Sequence, residues 1–153
     1  MKIIEGQTNV KGKHFGVVVA RFNDFITKRL LAGCLEELAR LGVKSNQITV
    51  VWVPGSYEIP VVALKLARKK TIAAVICLGA VIRGETIHFD LVADNTAQGI
   101  REVALTTGKP IILGVLATET IQQAYERSDQ KGDHKGSEAA RNAVAMTTLL
   151  ELI

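Results

Sequence analysis

The chain has little of what a disulfide-stapled or membrane-spanning protein needs. It is 153 residues long and has two cysteines, Cys34 and Cys77, which lie far apart in apolar surroundings and form no C-x-x-C pair. We therefore expect buried free thiols and a reducing compartment. The longest apolar stretches, such as 71–81, have about ten residues, half of the roughly 20 needed to cross a bilayer. No part of the chain is expected to cross a membrane.

An excess of charge of one sign is also missing. The 19 basic and 15 acidic residues are mostly interspersed, and the only basic triplet, 68–70, is typical of a solvated helix end rather than a nucleic-acid site. The modest positive balance suits small anionic substrates. Because the first residues include an acidic residue and a glycine where a signal peptide has a continuous apolar segment, we expect a cytoplasmic protein.

Several well-known catalytic signatures are absent from the sequence. It contains no G-x-x-x-x-G-K-[ST], no G-x-G-x-x-G, no G-x-S-x-G and no H-E-x-x-H. No two histidines have the spacing of metal ligands, so no metal site is expected.

The chain order predicts an α/β fold. Four apolar runs rich in β-branched residues, 15–20, 48–53, 72–78 and 111–116, are typical of strands buried on both faces. Stretches with helical spacing lie at 24–41, 58–69, 89–107, 119–127 and 137–152. This alternation predicts a four-stranded parallel sheet with helices on both faces, a flavodoxin-like three-layer sandwich forming one domain over 1–153. Residues 1–11 have no clear place in it, and either pack on another subunit or fray.

Ligands of open parallel sheets bind at the carboxyl ends of the strands, so the loops there are the first place to look for a site. Gly84, Glu85 and Thr86 precede the third predicted helix, whose amino end favours anions. A phosphate site and a plain helix cap both fit this segment. His88 follows, and an imidazole can move protons near neutral pH, although a surface or capping histidine is an equally ordinary interpretation.

Aromatic and charged residues near the other strand ends add further candidates. Phe22 follows the first strand and could stack on a flat heterocycle, whereas Trp52 is more typical of the core. Glu58 could interact with a helix dipole or accept hydrogen bonds from substrate hydroxyls. Arg127 could clamp a phosphate with its planar guanidinium or lie in a solvated loop.

Four blocks of sequence, taken together and in order, closely resemble the lumazine synthase (6,7-dimethyl-8-ribityllumazine synthase) family. They are GVVVARFN (16–23), VPGSYEIP (53–60), GAVIRGETIHFD (79–90) and the loop 131–136. The resemblance covers nearly the whole chain. It implies a cofactor-independent transferase of riboflavin biosynthesis that condenses 5-amino-6-(D-ribitylamino)uracil with 3,4-dihydroxy-2-butanone 4-phosphate.

The resemblance also implies roles for individual residues. Phe22 would stack on the pyrimidine ring, Glu58 would bind the ribityl hydroxyls, and His88 would move protons. The other implied substrate contacts are Asn23, Ser56, Tyr57, Ala80, Val81, Ile82, Leu113 and Lys135. The implied phosphate ligands are Gly84, Glu85, Thr86 and Arg127.

In the family each site lies between adjacent subunits of a pentamer, so the resemblance implies a homo-oligomer whose neighbouring subunit supplies Leu113 and Arg127. Leu113 stands where the family often has phenylalanine, and His134 where asparagine is common. The loop before Lys135 shows no obvious insertion relative to members whose pentamers form icosahedral shells, so a shell, with or without an enclosed riboflavin synthase, is a further expectation. The alternatives are a non-catalytic flavin- or lumazine-binding module and a purely shell-forming protein.

Overall fold

The fold is built on one parallel sheet. The computed structural model describes residues 1–129 and 134–153. Its strands are β1 (His14–Ala20), β2 (Ile48–Val53), β3 (Ile72–Ile82) and β4 (Ile111–Thr118), arranged in the order β2-β1-β3-β4 with parallel pairing throughout. Its helices are α1 (Asp24–Arg40), α2 (Ile59–Ala67), α3 (His88–Thr107), α4 (Ile121–Glu126) and α5 (Lys135–Leu150).

Alternation of side chains along the strands separates two cores. In β1, Phe15, Val17 and Val19 point into a core shared with α1 and α5. Val18 and Ala20 point to the opposite face, into a core shared with α2 and α3. This is the period of two that a strand imposes, and it confirms the predicted three-layer sandwich.

The strand predictions need two corrections. β2 and β4 are not buried on both faces: as the outer strands of the sheet they keep exposed positions, such as Val50 and Leu113. β3 does not end at residue 78 but continues to Ile82, and β4 continues past residue 116 to Thr118, because the two strands pair up to the Ile82 and Thr118 partners. A cross-strand ladder of this kind cannot be seen in the local apolar pattern.

Among the described residues, the five predicted helices are present, and their ends are inexact. α1 begins at Asp24 as predicted, and Pro60 lies in the first turn of α2. The predicted start at 58 is wrong, because residues Ser56–Glu58 form a separate 3₁₀ turn. α3 begins at His88, one residue before the prediction, α4 is shorter than 119–127, and α5 is shifted two residues towards the amino end.

Both cysteines are buried and free, as predicted. Burial raises the pKa of the Cys34 thiol to about 12 and that of Cys77 further, so neither is a reactive thiolate at neutral pH. Within residues 1–129 and 134–153, no helix combines the length and the apolar character that a membrane crossing needs.

The amino-terminal segment precedes the first strand without helix or strand of its own. Its Gln7 contacts α5 of the same chain: the Gln7 N–H donates to Thr148 Oγ1 at 2.7 Å, and the Thr148 hydroxyl donates to the Gln7 carbonyl at 2.8 Å. Residues 1–3 are exposed. The packing of residues 1–11 on another subunit stays a prediction.

Candidate active site

A cleft of about 830 Å³ lies at the carboxyl ends of β1, β2 and β3. β1 and β3 are neighbours in the sheet, but the chain leaves them in opposite directions, to β2 and to β4. This is the topological switch point at which open α/β sheets bind ligands. We call this cavity the cleft. It is lined by Phe22, Pro54, Gly55, Ser56, Tyr57, Glu58, Ala80, Val81, Ile82, Gly84, Thr86, His88, Phe89, Leu91, Val92 and Asn95.

The turn after β1 presents an aromatic ring to the cleft. Phe22 is 71% exposed, and its N–H donates to the Pro54 carbonyl at 3.0 Å. Asn23 has a left-handed backbone, with φ of 60°, a conformation that asparagine tolerates better than most residues. Its Nδ2 donates to the Ala80 carbonyl at 2.8 Å. The side chain of Asn23 thus joins the ends of β1 and β3, and Asn23 is not among the lining residues.

The turn after β2 is closed by a carboxylate. Glu58 Oε2 accepts a hydrogen bond from the Gly55 N–H at 2.8 Å, and Glu58 stays half-buried in the wall of the cleft. Ser56 is buried against Gly79, where an added Cβ would lie 2.5 Å from the Ser56 hydroxyl oxygen. Tyr57 is 60% exposed. Because Ser56 lies so close to residue 79, that residue must be a glycine for the turn after β2 to approach β3.

The third wall runs from the end of β3 to the start of α3. Ala80, Val81 and Ile82 are the last residues of β3, and His88 is the first residue of α3. Ile87, rather than Thr86, is the N-cap, and its side chain offers no acceptor. Thr86 Oγ1 instead accepts the His88 N–H at 3.3 Å. The positive end of this 20-residue helix therefore lies beside Gly84 and Thr86 and favours an anion there.

Three predicted site residues lie elsewhere. Leu113, Arg127 and Lys135 line a smaller concavity of about 280 Å³ beside the outer strand β4, together with Gly114, Val115, Leu116, Ala117, Glu138, Ala139 and Asn142. We call it the groove. It shares no residue with the cleft. Glu85 is exposed and lines neither. Gln130, Lys131, Gly132 and Asp133 lie outside the described residues, and with them half of the loop 131–136.

The groove has cationic side chains at its rim. Leu113 is 53% exposed. The guanidinium of Arg127 donates to the Gln123 carbonyl at 3.1 Å, and the Lys135 N–H donates to the Arg127 carbonyl at 2.9 Å. Lys135 Nζ also contacts Glu138 at 2.6 Å. The backbone hydrogen bond between Lys135 and Arg127 holds the end of α4 next to the start of α5, so both cationic residues line one concavity.

Sequence reasoning missed several residues of the cleft. Pro54 and Gly55 belong to a recognised block but were given no role. Phe89 and Val92 fall in the helix predicted over 89–107 and were given no role in the site. Leu91 and Asn95 carried no signal. The first two turns of α3 contribute side chains to the cleft, and the buried residues of this helix begin only at Thr96.

Among residues 1–129 and 134–153, no three His, Cys, Asp or Glu side chains come together as a metal site would require. The cleft instead combines an exposed ring, backbone groups at strand ends, one carboxylate and one imidazole. Such a site can orient a flat polar heterocycle and transfer protons.

The fold and the cleft define the class: a flavodoxin-like α/β protein with a candidate small-molecule site at the switch point of its sheet. A sequence model of the 6,7-dimethyl-8-ribityllumazine synthase family matches residues 12–151, which is nearly the whole chain. The chain belongs to this family of transferases, and its role is in riboflavin biosynthesis.

Proposed function

We propose that the chain condenses 5-amino-6-(D-ribitylamino)uracil with 3,4-dihydroxy-2-butanone 4-phosphate to 6,7-dimethyl-8-ribityllumazine, releasing phosphate and water. Each active site would combine the cleft of one subunit with the groove of its neighbour. No cofactor is needed, because the first substrate supplies the amine nucleophile and the second carries its own leaving group.

One observation carries this proposal: the described residues that line the cleft include no lysine or arginine, whereas the groove has Arg127 and Lys135. A departing phosphate needs positive charge to stabilise it. The amino end of α3 supplies part of this charge, and a cation from a neighbouring groove would complete it. Because cleft and groove are different surfaces, they would pair head to tail, an arrangement that generates a ring when the rotation between successive subunits closes.

The walls of the cleft suit the pyrimidine substrate. Phe22 offers an exposed ring face for stacking. The half-buried carboxylate of Glu58 can accept hydrogen bonds from ribityl hydroxyls. The ends of β3, with Ala80, Val81 and Ile82, add backbone donors and acceptors that can read the edge of the ring.

His88 is the residue that would move protons during the reaction. The amine attacks the ketone, and loss of water gives an imine. Elimination of phosphate gives an enol, which tautomerises, and ring closure then releases a second water. His88 is exposed at the start of α3, beside Gly84 and Thr86, where it can move protons while the phosphate stays near the helix end. Positioning of two reactants accounts for the rest of catalysis.

Several features of assembly belong to the same proposal. The subunits would form a pentamer, with residues 1–11 packing on a neighbour, and pentamers could assemble into an icosahedral shell that encloses riboflavin synthase. The cytoplasm is the expected compartment, since the two buried thiols would stay reduced there.

The test is complementation between two inactive variants. His88→Ala removes the proton carrier of the cleft, and Arg127→Ala removes the cation of the groove. If sites are shared, a one-to-one mixed assembly of the two variants has about a quarter of its sites intact, because half of the clefts and half of the grooves are wild type. We expect lumazine formation, followed by absorbance, to recover to about a quarter of the wild-type rate.

A second mixture serves as the matched control. Wild type assembled with the double variant His88→Ala/Arg127→Ala should also retain about a quarter of its sites if they are shared, but half if each lies within one chain. No recovery in the first mixture together with half activity in the second would contradict shared sites. An assembled wild-type protein that does not accelerate the reaction would contradict the proposed enzyme and favour a binding module or a shell protein.

A further inference from the structure

We infer that Arg83 is a positioning residue, which holds the first turn of α3 so that His88 and the segment 84–86 keep the geometry that the phosphate substrate requires. The inference rests on the proposed function. Arg83 directly follows β3 and is not itself among the residues that line the cleft or the groove. Its side chain therefore acts through its neighbours.

The guanidinium of Arg83 joins three segments of the chain. Its Nε donates to Glu119 Oε2 at 2.7 Å, just after β4. Its two terminal nitrogens donate to the carboxylate of Asp90, in the first turn of α3, at 3.2 and 3.3 Å. The guanidinium carbon also lies 4.2 Å from the centre of the Phe89 ring, which lines the cleft. One planar group thus ties the start of α3 to the end of β4.

These contacts leave Arg83 poorly suited to bind phosphate itself, although it is the residue next to Gly84. Its charge faces two carboxylates, and hydrogen bonds to Asp90 and then to Glu119 raise the pKa of the guanidinium above its usual value. A phosphate here would meet two negative side chains around one cation. This agrees with a cation supplied from the groove.

The segment that Arg83 spans has little packing to hold it. Residues 83–88 are all exposed, and a Cβ on Gly84 would find no heavy atom within 4 Å. The Arg83 N–H donates to the Thr118 carbonyl at 2.9 Å, which fixes the backbone where the segment begins. Asp90 and Phe89, held by the guanidinium, fix it where α3 begins. Removing the side chain should therefore free the end that holds His88.

The experiment compares Arg83→Met, which keeps an unbranched apolar stem and loses both ion pairs, with Arg101→Met, a change at an exposed arginine further along α3. In Arg83→Met we expect KM for the butanone phosphate and the inhibition constant of inorganic phosphate to rise about tenfold, and kcat to fall about tenfold, since small displacements of reacting groups are costly. KM for the pyrimidine should stay within about twofold. Asp90→Asn should reproduce part of the effect, and Arg101→Met none.

Amide hydrogen exchange supplies a readout that does not depend on turnover. Arg83→Met should speed exchange in 84–91 while the core strands keep wild-type rates. Unchanged exchange and unchanged KM for the phosphate substrate would overturn the inference, as would an equal rise in KM for both substrates. If the wild type proved inactive, the proposed function would fail, and faster exchange confined to 84–91 would still support the positioning role.

Discussion

The cleft and the groove differ in how much of an active site each contains. The cleft has an exposed ring, a carboxylate, an imidazole and a helix amino end. Hydrogen bonds donated by Phe22 and Asn23, and one accepted by Glu58, fix its walls. The groove has about a third of the volume of the cleft. The groove residues with a proposed role are two cations and an exposed leucine. Each surface lacks what the other has, so neither is expected to work alone.

Arg127→Ala is expected to have the largest effect, because it removes the main cation of the groove. Truncating one partner of a charge-assisted pair should lower kcat/KM for the butanone phosphate by roughly 100- to 1,000-fold. KM for the pyrimidine should change little. Steady-state kinetics with each substrate varied in turn make the measurement, and Arg127→Lys should recover part of the loss, since it keeps the charge but not the planar fork.

The matched control for that variant is Arg68→Ala. Arg68 is an exposed arginine just after α2, and it lines neither the cleft nor the groove. If Arg127→Ala kept the wild-type apparent affinity for the phosphate substrate, Arg127 would not bind phosphate. The proposal that the groove supplies the cation missing from the cleft would then be wrong.

Phe22→Ala tests the cleft and should have a smaller effect. Loss of a stacked ring should raise KM for the pyrimidine about tenfold while KM for the butanone phosphate stays nearly constant. Phe22→Tyr keeps the ring and should behave almost as the wild type. If Phe22→Ala affected the phosphate substrate more than the pyrimidine, the assignment of ring binding to the cleft would be wrong.

Leu113→Phe should have the smallest effect and should act in the opposite direction. The side chain is 53% exposed on the outer strand β4, so a phenylalanine can be accommodated without disturbing the core. If a neighbour's groove faces the bound pyrimidine, the added ring should lower its KM about two- to threefold. The Leu113→Ile variant, similar in volume, should leave KM unchanged. A change in KM for the phosphate substrate alone would place residue 113 near the other substrate.

The fold was predictable because its signals are local. Runs of β-branched residues alternate with helical stripes, and this order restricts the chain to a parallel sheet with helices on both faces. The ends of elements were less accurate. β3 continues to Ile82 because β4 pairs with it, and a pairing partner more than thirty residues away leaves no mark in the run 72–78.

The cleft was predictable in part for a different reason. Phe22, Glu58 and His88 each follow a strand, and parallel strands bring their carboxyl ends to one edge. Phe89 and Val92 were given no role in the site, because helical spacing alone does not reveal that the first turns of α3 line the cleft. The ion pairs of Arg83 with Asp90 and Glu119 were not predicted either, since Glu119 lies in another loop.

The sequence by itself determined the order of the elements, the residue types in each loop and the resemblance to a family, since all of these are properties of contiguous residues. Only the tertiary structure decided which of those loops meet. It brought Phe22, Glu58 and His88 to one cleft and placed Leu113, Arg127 and Lys135 in a separate groove. The physical reason is that strand order is set by packing of whole faces and by hydrogen bonds between distant segments, so the outer position of β4, and the distinct surface it creates, exists only in the folded chain.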